Sequence, residues 1–228
     1  VYDMFGMLGA GGKVIFPDPD KVKEPSHWYE LIEKYQITIW NTVPQIMQLL
    51  IDYVISQKKQ LDSLRVVLLS GDWIPLNLPK QIKSLNPNIT VMSLGGATEG
   101  SIWSCWYEIN EIDETWKSIP YGIAMPNQKM YVLDSQGRHC PTNVIGEIYI
   151  GGIGVAIGYW NDSEKTKASF IQHDVLGRLY KTGDLGCWNK AGYIEFHGRK
   201  DFQVKINGYR IELEEITAKL NKINGIDS

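Results

Sequence analysis

The chain has 228 residues, 43% of them hydrophobic and 21% charged, which supplies enough apolar material for one or two domains with a real core. Its 23 basic and 26 acidic side chains leave a net charge of −3, so no cationic face is on offer to a phosphate backbone and nucleic acid is excluded as an expected partner. Cys105, Cys140 and Cys187 lie far apart with no CxxC pair, which indicates neither a zinc knuckle nor a disulfide framework and fits a reducing, cytoplasmic setting. No apolar run reaches the roughly 20 residues of a membrane span, and the opening VYDMFGMLGA lacks the basic start of a signal peptide. The chain begins without methionine and inside an apolar stretch, which reads as the edge of a fragment.

In chain order, KVIF (Lys13–Phe16), TIW (Thr38–Trp40), RVVLL (Arg65–Leu69) and TVMSL (Thr90–Leu94) are strand-like runs set between helical patterns, the alternation of a parallel α/β sheet. Ser26 precedes the helical stretch WYELIEKY. Pro44 precedes QIMQLLIDYV, where Ile46, Leu49, Leu50 and Tyr53 recur at helical spacing and are expected to face the core. Beyond about residue 120 strands split by turns take over, in KMYVLD, NVIGEIYIGG, RLYKTGD and GYIEFHG, and predict a small barrel or curved sheet. The closing ELEEITAKLNKING places Leu213, Ile216, Leu220 and Ile223 on one helical face with Gly225 as its stop. Charged residues between two β stretches put a domain boundary near Lys200 to Phe202. The sequence contains no internal repeat, low-complexity tract or long linker.

Three segments carry candidate chemistry. In GGATEGS (Gly95–Ser101), after the strand VMSL, paired glycines allow backbone N–H groups and a flat ring to come close, while Thr98 and Glu99 offer a hydroxyl and a carboxylate to a magnesium–triphosphate. An ordinary turn after a strand explains the same residues equally well. In YKTGDLG (Tyr180–Gly186) the carboxylate of Asp184 suits the paired hydroxyls of a ribose, although Asp and Gly are also the usual turn formers. In GRKDFQVKINGYRIELEEI (Gly198–Ile216) the charges of Arg199, Asp201, Lys205 and Arg210 could hold sugar and phosphate oxygens from a mobile domain, or form a solvated surface. A fourth run, GGIGVAIG (Gly151–Gly158), mimics a dinucleotide fingerprint, but YWNDSE follows where a helix should open at once, so a nicotinamide or flavin site is not expected. Its glycines are expected to serve close strand packing.

In this order, GGATEG, GEIYIGGIGVAIGYW, YKTGDLG and GRKDFQVKINGYRIELEEI resemble successive core motifs of the adenylate-forming superfamily, and more narrowly the amino-acid adenylation domains of nonribosomal peptide synthetases. VYDMFGMLGAGGKV resembles the end of an earlier motif, so the likeness runs along essentially the whole chain. It implies the adenylate-forming α/β fold. Residues 1–200 would be the later part of the large N-terminal core, with an α/β part at 1–118 and a strand-rich, barrel-like part at 119–200. Residues 201–228 would begin the small mobile α+β domain. The implied reaction is that of an ATP-dependent ligase of secondary metabolite biosynthesis: an amino-acid carboxylate attacks the α-phosphorus of ATP, and the aminoacyl-AMP passes to the phosphopantetheine thiol of a carrier domain. Implied partners are peptidyl carrier and condensation or cyclisation domains of one assembly line, with a small activator protein also possible.

The resemblance assigns Thr98 and Glu99 to the phosphates and Mg2+. It assigns Gly95, Gly96, Ala97, Asp184, Phe196 and Arg199 to the nucleotide, Asp201 to the hinge, and Lys205 to the thioester-forming step. Its side-chain pocket falls on Tyr2, Asn41, Leu68, Ser70, Leu94, Ile102 and Trp103, a combination similar to that of cysteine-activating domains. Bulky Leu94, Ile102 and Trp103 would admit only a short side chain and suit a polarizable sulfur, with Asn41 and Ser70 able to contact the thiol. Core packing explains Leu68 and Leu94 as well. The chain departs from the pattern at Gly95, where relatives often stack an aromatic residue on adenine, at Ile157, where many have arginine, and at Glu214, where many have glycine. The family's phosphate loop and its α-amino-binding acid would precede Val1, and its catalytic lysine would follow Ser228. An acyl- or aryl-CoA ligase and a non-catalytic, degenerate adenylation module remain as alternatives. The 228-residue chain alone is expected to show no ATP–pyrophosphate exchange with any amino acid, and robust exchange by the isolated chain would refute this expectation.

Overall fold

A computed structural model describes residues 2–116 and 119–200, together with the backbone of two short strands at 204–206 and 209–211. The chain divides into two compact units, Val1–Met92 with Glu108–Lys117, and Ser93–Tyr107 with Ser118–Ser228.

The first unit opens with helical turns, Tyr2–Gly6 and α1 (Met7–Gly9), and a later 3-10 turn at Pro19–Lys21. Then α2 (Pro25–Tyr35), β1 (Ile39–Thr42), α3 (Pro44–Ser56), β2 (Val66–Ser70), α4 (Asn77–Leu85) and β3 (Thr90–Gly95) alternate. Proline opens both α2 and α3, where its missing N–H costs nothing and its fixed φ suits the first turn. The helix α2 stops at Gln36, whose left-handed conformation (φ 51°) lets its N–H reach the Ile32 carbonyl. The expected parallel arrangement holds where β1 pairs with β2, Asn41 lying opposite Leu68.

Two expectations need correction. Lys13–Phe16 is not a strand: Phe16 is 72% exposed, and Pro17 and Pro19 follow at once and cannot extend a ladder. The buried face of α3 is Pro44, Met47, Leu50, Ile51 and Val54, whereas Leu49 is 48% exposed. With nine hydrophobic or proline positions among its 13 residues, α3 carries apolar residues nearly all round, so spacing admits more than one stripe.

The second unit contains the end of β3 and a 3-10 turn at Thr98–Gly100. It continues through β4 (Cys105–Glu108), β5 (Ile123–Ala124), β6 (Gln128–Leu133), β7 (Gly146–Gly152), α5 (Ser163–Ser169), β8 (Phe170–His173), β9 (Gly177–Trp188) and β10 (Ile194–Arg199). The order β10-β9-β7-β6, with β8 also on β9, forms the curved antiparallel sheet expected from the strand-and-turn pattern. Alternation gives this sheet two apolar faces. Met130, Val132, Ile148 and Ile150 pack with Cys105, Phe170, Tyr180 and Ile194, while Leu133, Tyr149 and Leu179 pack on the other side. The elements β8 and α5 were not anticipated; Asp162 caps α5 by accepting from the Lys165 N–H.

The strands β11 (Val204–Ile206) and β12 (Tyr209–Ile211) pair antiparallel, with Lys205 opposite Arg210. Asp201, the expected hinge, and the expected terminal helix lie outside the described residues. Among the described residues no helix is long and apolar enough to cross a membrane.

Leu50 is fully buried and Leu49 is not. Leu50→Ala should therefore cost about 2–5 kcal/mol in urea denaturation and Leu49→Ala within about 0.5 kcal/mol; equal effects would restore the stripe expected from spacing.

Candidate functional site

The loop after β3 is held by its own backbone. Ser104 N–H donates to the Gly95 carbonyl at 2.8 Å, Gly100 N–H to Ala97 at 2.9 Å and Ser101 N–H to Thr98 at 3.2 Å. Side chains close it further: Ser101 Oγ donates to the Gly154 carbonyl at 2.7 Å, and Gln128 Nε2 to the Gly100 carbonyl at 3.1 Å. These bonds hold Ser101 and Ile102 at φ 64° and 81°, a region a β-branched residue rarely visits.

Gly95 is demanded by close approach. A Cβ there would lie inside van der Waals contact with two ring carbons of Tyr121 and 2.8 Å from Cys105 Sγ. At Gly96 it would meet the backbone of Ile102, Trp103 and Ser104.

Tyr121 was not anticipated, and it joins the predicted site. Its ring stacks on Phe196 with centroids 5.7 Å apart and planes 28° apart. Burial, and then the Asp184 charge, push its hydroxyl well above the usual tyrosine range, while a backbone hydrogen bond at Gly96 and the Arg199 charge pull the other way. Gly95 and Phe196 therefore lie against one phenol ring, Gly96 bonds to its hydroxyl, and the charges of Asp184 and Arg199 act on it. No local sequence signal marks Tyr121, which follows Gly95 at a distance of twenty-six residues along the chain.

Asp184 and Arg199 face each other because β10 carries a bulge. Phe196 pairs with Gly186 but Gly198 pairs with Leu185, so Arg199 arrives opposite Asp184. Gly198 supplies the left-handed backbone (φ 103°) that the bulge needs. Arg199 Nη1 donates to Asp184 Oδ1 at 2.6 Å, with side chains only 16% and 11% exposed. Below them, Asp184 N–H donates to Thr182 Oγ1 at 3.0 Å and Thr182 Oγ1 to the Ile148 carbonyl at 2.6 Å.

Glu99 is buried in the 3-10 turn, beside exposed Thr98. Its carbonyl accepts from the Ala156 N–H at 2.8 Å, and its Oε1 accepts from the Tyr159 hydroxyl at 2.7 Å. Burial first, and then the bond to Glu99, hold that hydroxyl protonated, and Tyr180 and Ser169 also bond to it. The motif rejected as a dinucleotide site thus buttresses Glu99. Gly158 is followed by a turn and a helix that opens only at Ser163, while Gly151 packs within β7 between Lys129 and Leu179.

The expected pocket residues fall in both units. In the first, Tyr2 lies in the opening helical turn, Asn41 donates from Nδ2 to Asp3 Oδ1 at 2.7 Å, Leu68 is buried, and Ser70 ends β2. In the second, Leu94 is buried in β3, Ile102 is 38% exposed, and Trp103 is partly buried. Lys205 sits in β11, its side chain outside the described residues.

Residues 1–160 match the family described as AMP-binding enzyme. The chain belongs to that family. It is 54% identical over 216 residues to bacitracin synthase 1 of Bacillus licheniformis, a match covering 95% of this chain and 4% of that protein. It is 50% identical over 221 residues to pyochelin synthetase PchF of Pseudomonas aeruginosa, with 96% of this chain and 12% of that protein covered. Structures of the nonribosomal peptide synthetase FmoA3 in AMPPNP-bound and α-methyl-L-serine-AMP-bound forms superpose with TM-score 0.84 at 40% identity. Each covers 88% of this chain, and respectively 22% and 23% of the solved chain. The chain thus carries AMP-binding sequence of the nonribosomal peptide synthetase adenylation branch, in the adenylate-forming fold, and spans a small part of the length of these relatives.

The contact between position 95 and Tyr121 is testable by a double-mutant cycle. Gly95→Ala alone should lose about 1–3 kcal/mol of stability, and adding Tyr121→Ala should recover at least about 1 kcal/mol of what the singles sum to, measured by denaturation; strict additivity would remove the contact.

Proposed function

We propose that the chain is part of an adenylation domain that activates L-cysteine as cysteinyl-AMP with ATP and Mg2+, and passes it to the phosphopantetheine thiol of a carrier domain. The observation that carries the nucleotide half is the cluster around Tyr121, where an aromatic face, a glycine backbone and the Asp184–Arg199 pair come together. Those groups fit a nucleoside. The Tyr121 and Phe196 rings suit a purine face, replacing the aromatic residue that position 95 lacks, and the Asp184 carboxylate, held by Arg199 on a backbone fixed by Thr182, suits ribose hydroxyls. FmoA3 was solved with AMPPNP, and with the adenylate of a small amino acid.

Glu99 is an oxygen donor of the kind Mg2+ prefers, and the Tyr159 hydrogen bond orients it. Bound magnesium would neutralise phosphate charge as pyrophosphate leaves. The protein's own part is positioning: Glu99 held by Tyr159, Thr98 exposed beside it, and Arg199 at the ribose end. Lys205 is assigned to the second half-reaction and Asp201 to the hinge between the two steps. The partners of this reading are the carrier and condensation or cyclisation domains of one assembly line, with a small activator protein among them where the parent requires it.

For the amino-acid half, Asn41 stands beside Leu68 across the parallel β1–β2 pair, a polar and an apolar group together. Leu94, Ile102 and Trp103 are assigned to the same pocket by the family pattern. Cysteine differs from alanine by its thiol and from serine by sulfur for oxygen, differences that a pocket of this sort resolves by about 1–3 kcal/mol.

In the intact protein carrying this chain, ATP–pyrophosphate exchange should be fastest with cysteine and about 10–200-fold slower with alanine and serine. Faster exchange with a large aromatic amino acid would overturn the substrate assignment. Glu99→Gln should lower kcat about 100-fold, and Tyr159→Phe should raise the Mg2+ needed for half-maximal rate; a Tyr159→Phe enzyme with unchanged magnesium dependence would remove its positioning role.

A further inference from the structure

Away from the nucleotide cluster, the ladder between β9 and β10 brings together three residues of different chemistry. Cys187 pairs across the ladder with Glu195, and His197 is the extra residue of the bulge. One ligand atom from each lies within 4.8 Å of the others, and among the described residues this is the group of that kind.

The spacing is close to what one ion requires. Tetrahedral zinc, with Zn–S about 2.3 Å and Zn–N about 2.0 Å, holds sulfur and nitrogen about 3.5 Å apart. Cys187 Sγ and His197 Nε2 stand 3.4 Å apart, and His197 Nε2 lies 3.9 Å from Glu195 Oε2. The imidazole–carboxylate edge is about half an ångström longer than a tetrahedral ion would set it, and the thiol–carboxylate edge lies within 4.8 Å, so the carboxylate is the ligand that would close in.

The carboxylate is also oriented for this. Asn189 Nδ2 donates to Glu195 Oε1 at 3.1 Å, which leaves Oε2 as the oxygen toward His197. Asn189 is itself fixed, since its Oδ1 accepts from the backbone N–H groups of Ala191 at 2.9 Å and Tyr193 at 3.2 Å. A ligating carboxylate held by an outer hydrogen bond, here from Asn189, is the support that metal sites use to set ligand direction. Cys187 is buried and His197 exposed, so an ion would enter from the imidazole side and keep a fourth position toward water.

We propose that Cys187, Glu195 and His197 form a binding site for a zinc-type divalent cation, which staples β9 to β10 at the bulge. Thiolate, imidazole and carboxylate together select a borderline metal such as Zn2+ over Mg2+, so this ion is distinct from the one assigned to Glu99. The site requires neither ATP nor an amino acid, and its failure would leave the adenylation reading untouched. Binding releases the thiol proton of Cys187 and leaves the metal oxidation state unchanged.

Cobalt(II) titration of the intact protein carrying this chain, read by the near-ultraviolet thiolate-to-cobalt charge-transfer band, tests the site, with zinc affinity measured by competition. One equivalent should bind with that band. Cys187→Ser should abolish the band, and His197→Ala should weaken binding at least about 100-fold. Absence of the band, or a band and affinity unchanged in His197→Ala, overturns the proposal. His197 is exposed, so its variant keeps the test decisive even where Cys187→Ser fails to fold.

Discussion

The charged chemistry of the second unit depends on one irregularity, the extra residue that β10 inserts opposite β9. The register from Ile194↔Trp188 to Phe196↔Gly186, continued without a bulge, would set Arg199 opposite Gly183. The insertion at His197 and Gly198 moves Arg199 one place, opposite Asp184, where an ion pair closes at 2.6 Å. Two side chains this little exposed gain from pairing only when the geometry is good, because the cost of leaving water is large for each. A one-residue slip would leave a buried aspartate without its cation, so the bulge and the pair stabilise each other. The same insertion carries His197 to within 3.4 Å of Cys187.

A second dependence links the glycine loop to the rest of that unit through two tyrosines. Tyr121 occupies the space a side chain at position 95 would need, and Tyr159 donates to Glu99 from a segment sixty residues away. Neither contact belongs to the loop's own sequence. The loop's unusual backbone at Ser101 and Ile102 persists because Gly154, Gln128 and Ser104 fasten its two ends. Strain of this kind survives only where the surroundings over-determine it, and here they do so through side-chain and backbone donors to backbone carbonyls.

The parts of the fold visible in the sequence are those where one signal dominates. Strand runs such as Val66–Ser70 and Gly146–Gly152 were legible, as was the proline that opens α3, whereas Ser26, expected just ahead of α2, lies inside it because Pro25 opens that helix. Lys13–Phe16 was misread because residue type alone cannot supply a ladder partner, and α3's buried stripe was misread because an almost wholly apolar helix has no unique face. At the candidate site, the family resemblance assigns Asp184, Phe196, Arg199 and the glycines to one nucleotide; in the structure Arg199 pairs with Asp184, and Phe196 and Gly95 lie against Tyr121. Tyr121 was invisible, since its importance comes from a missing Cβ twenty-six residues earlier. Cysteine spacing argued against a zinc knuckle, and it still does; Cys187, Glu195 and His197 meet across two strands, a juxtaposition that linear spacing cannot express.

On the reading proposed above, discrimination of a thiol cannot rest on volume alone, because one methylene or one heteroatom is worth only about 1–3 kcal/mol in an apolar pocket. Asn41 offers more. Its Nδ2 is committed to Asp3 at 2.7 Å, which fixes the amide's orientation and leaves Oδ1 buried without a hydrogen-bond partner. A buried acceptor in that state costs about 1–3 kcal/mol until a donor reaches it. A side chain bearing an S–H, O–H or N–H group recovers that cost and an alanine side chain does not, so this acceptor separates cysteine from alanine and leaves serine to be refused by the apolar wall. Asp3 therefore acts on the pocket at one remove, by deciding which end of the Asn41 amide remains to be satisfied.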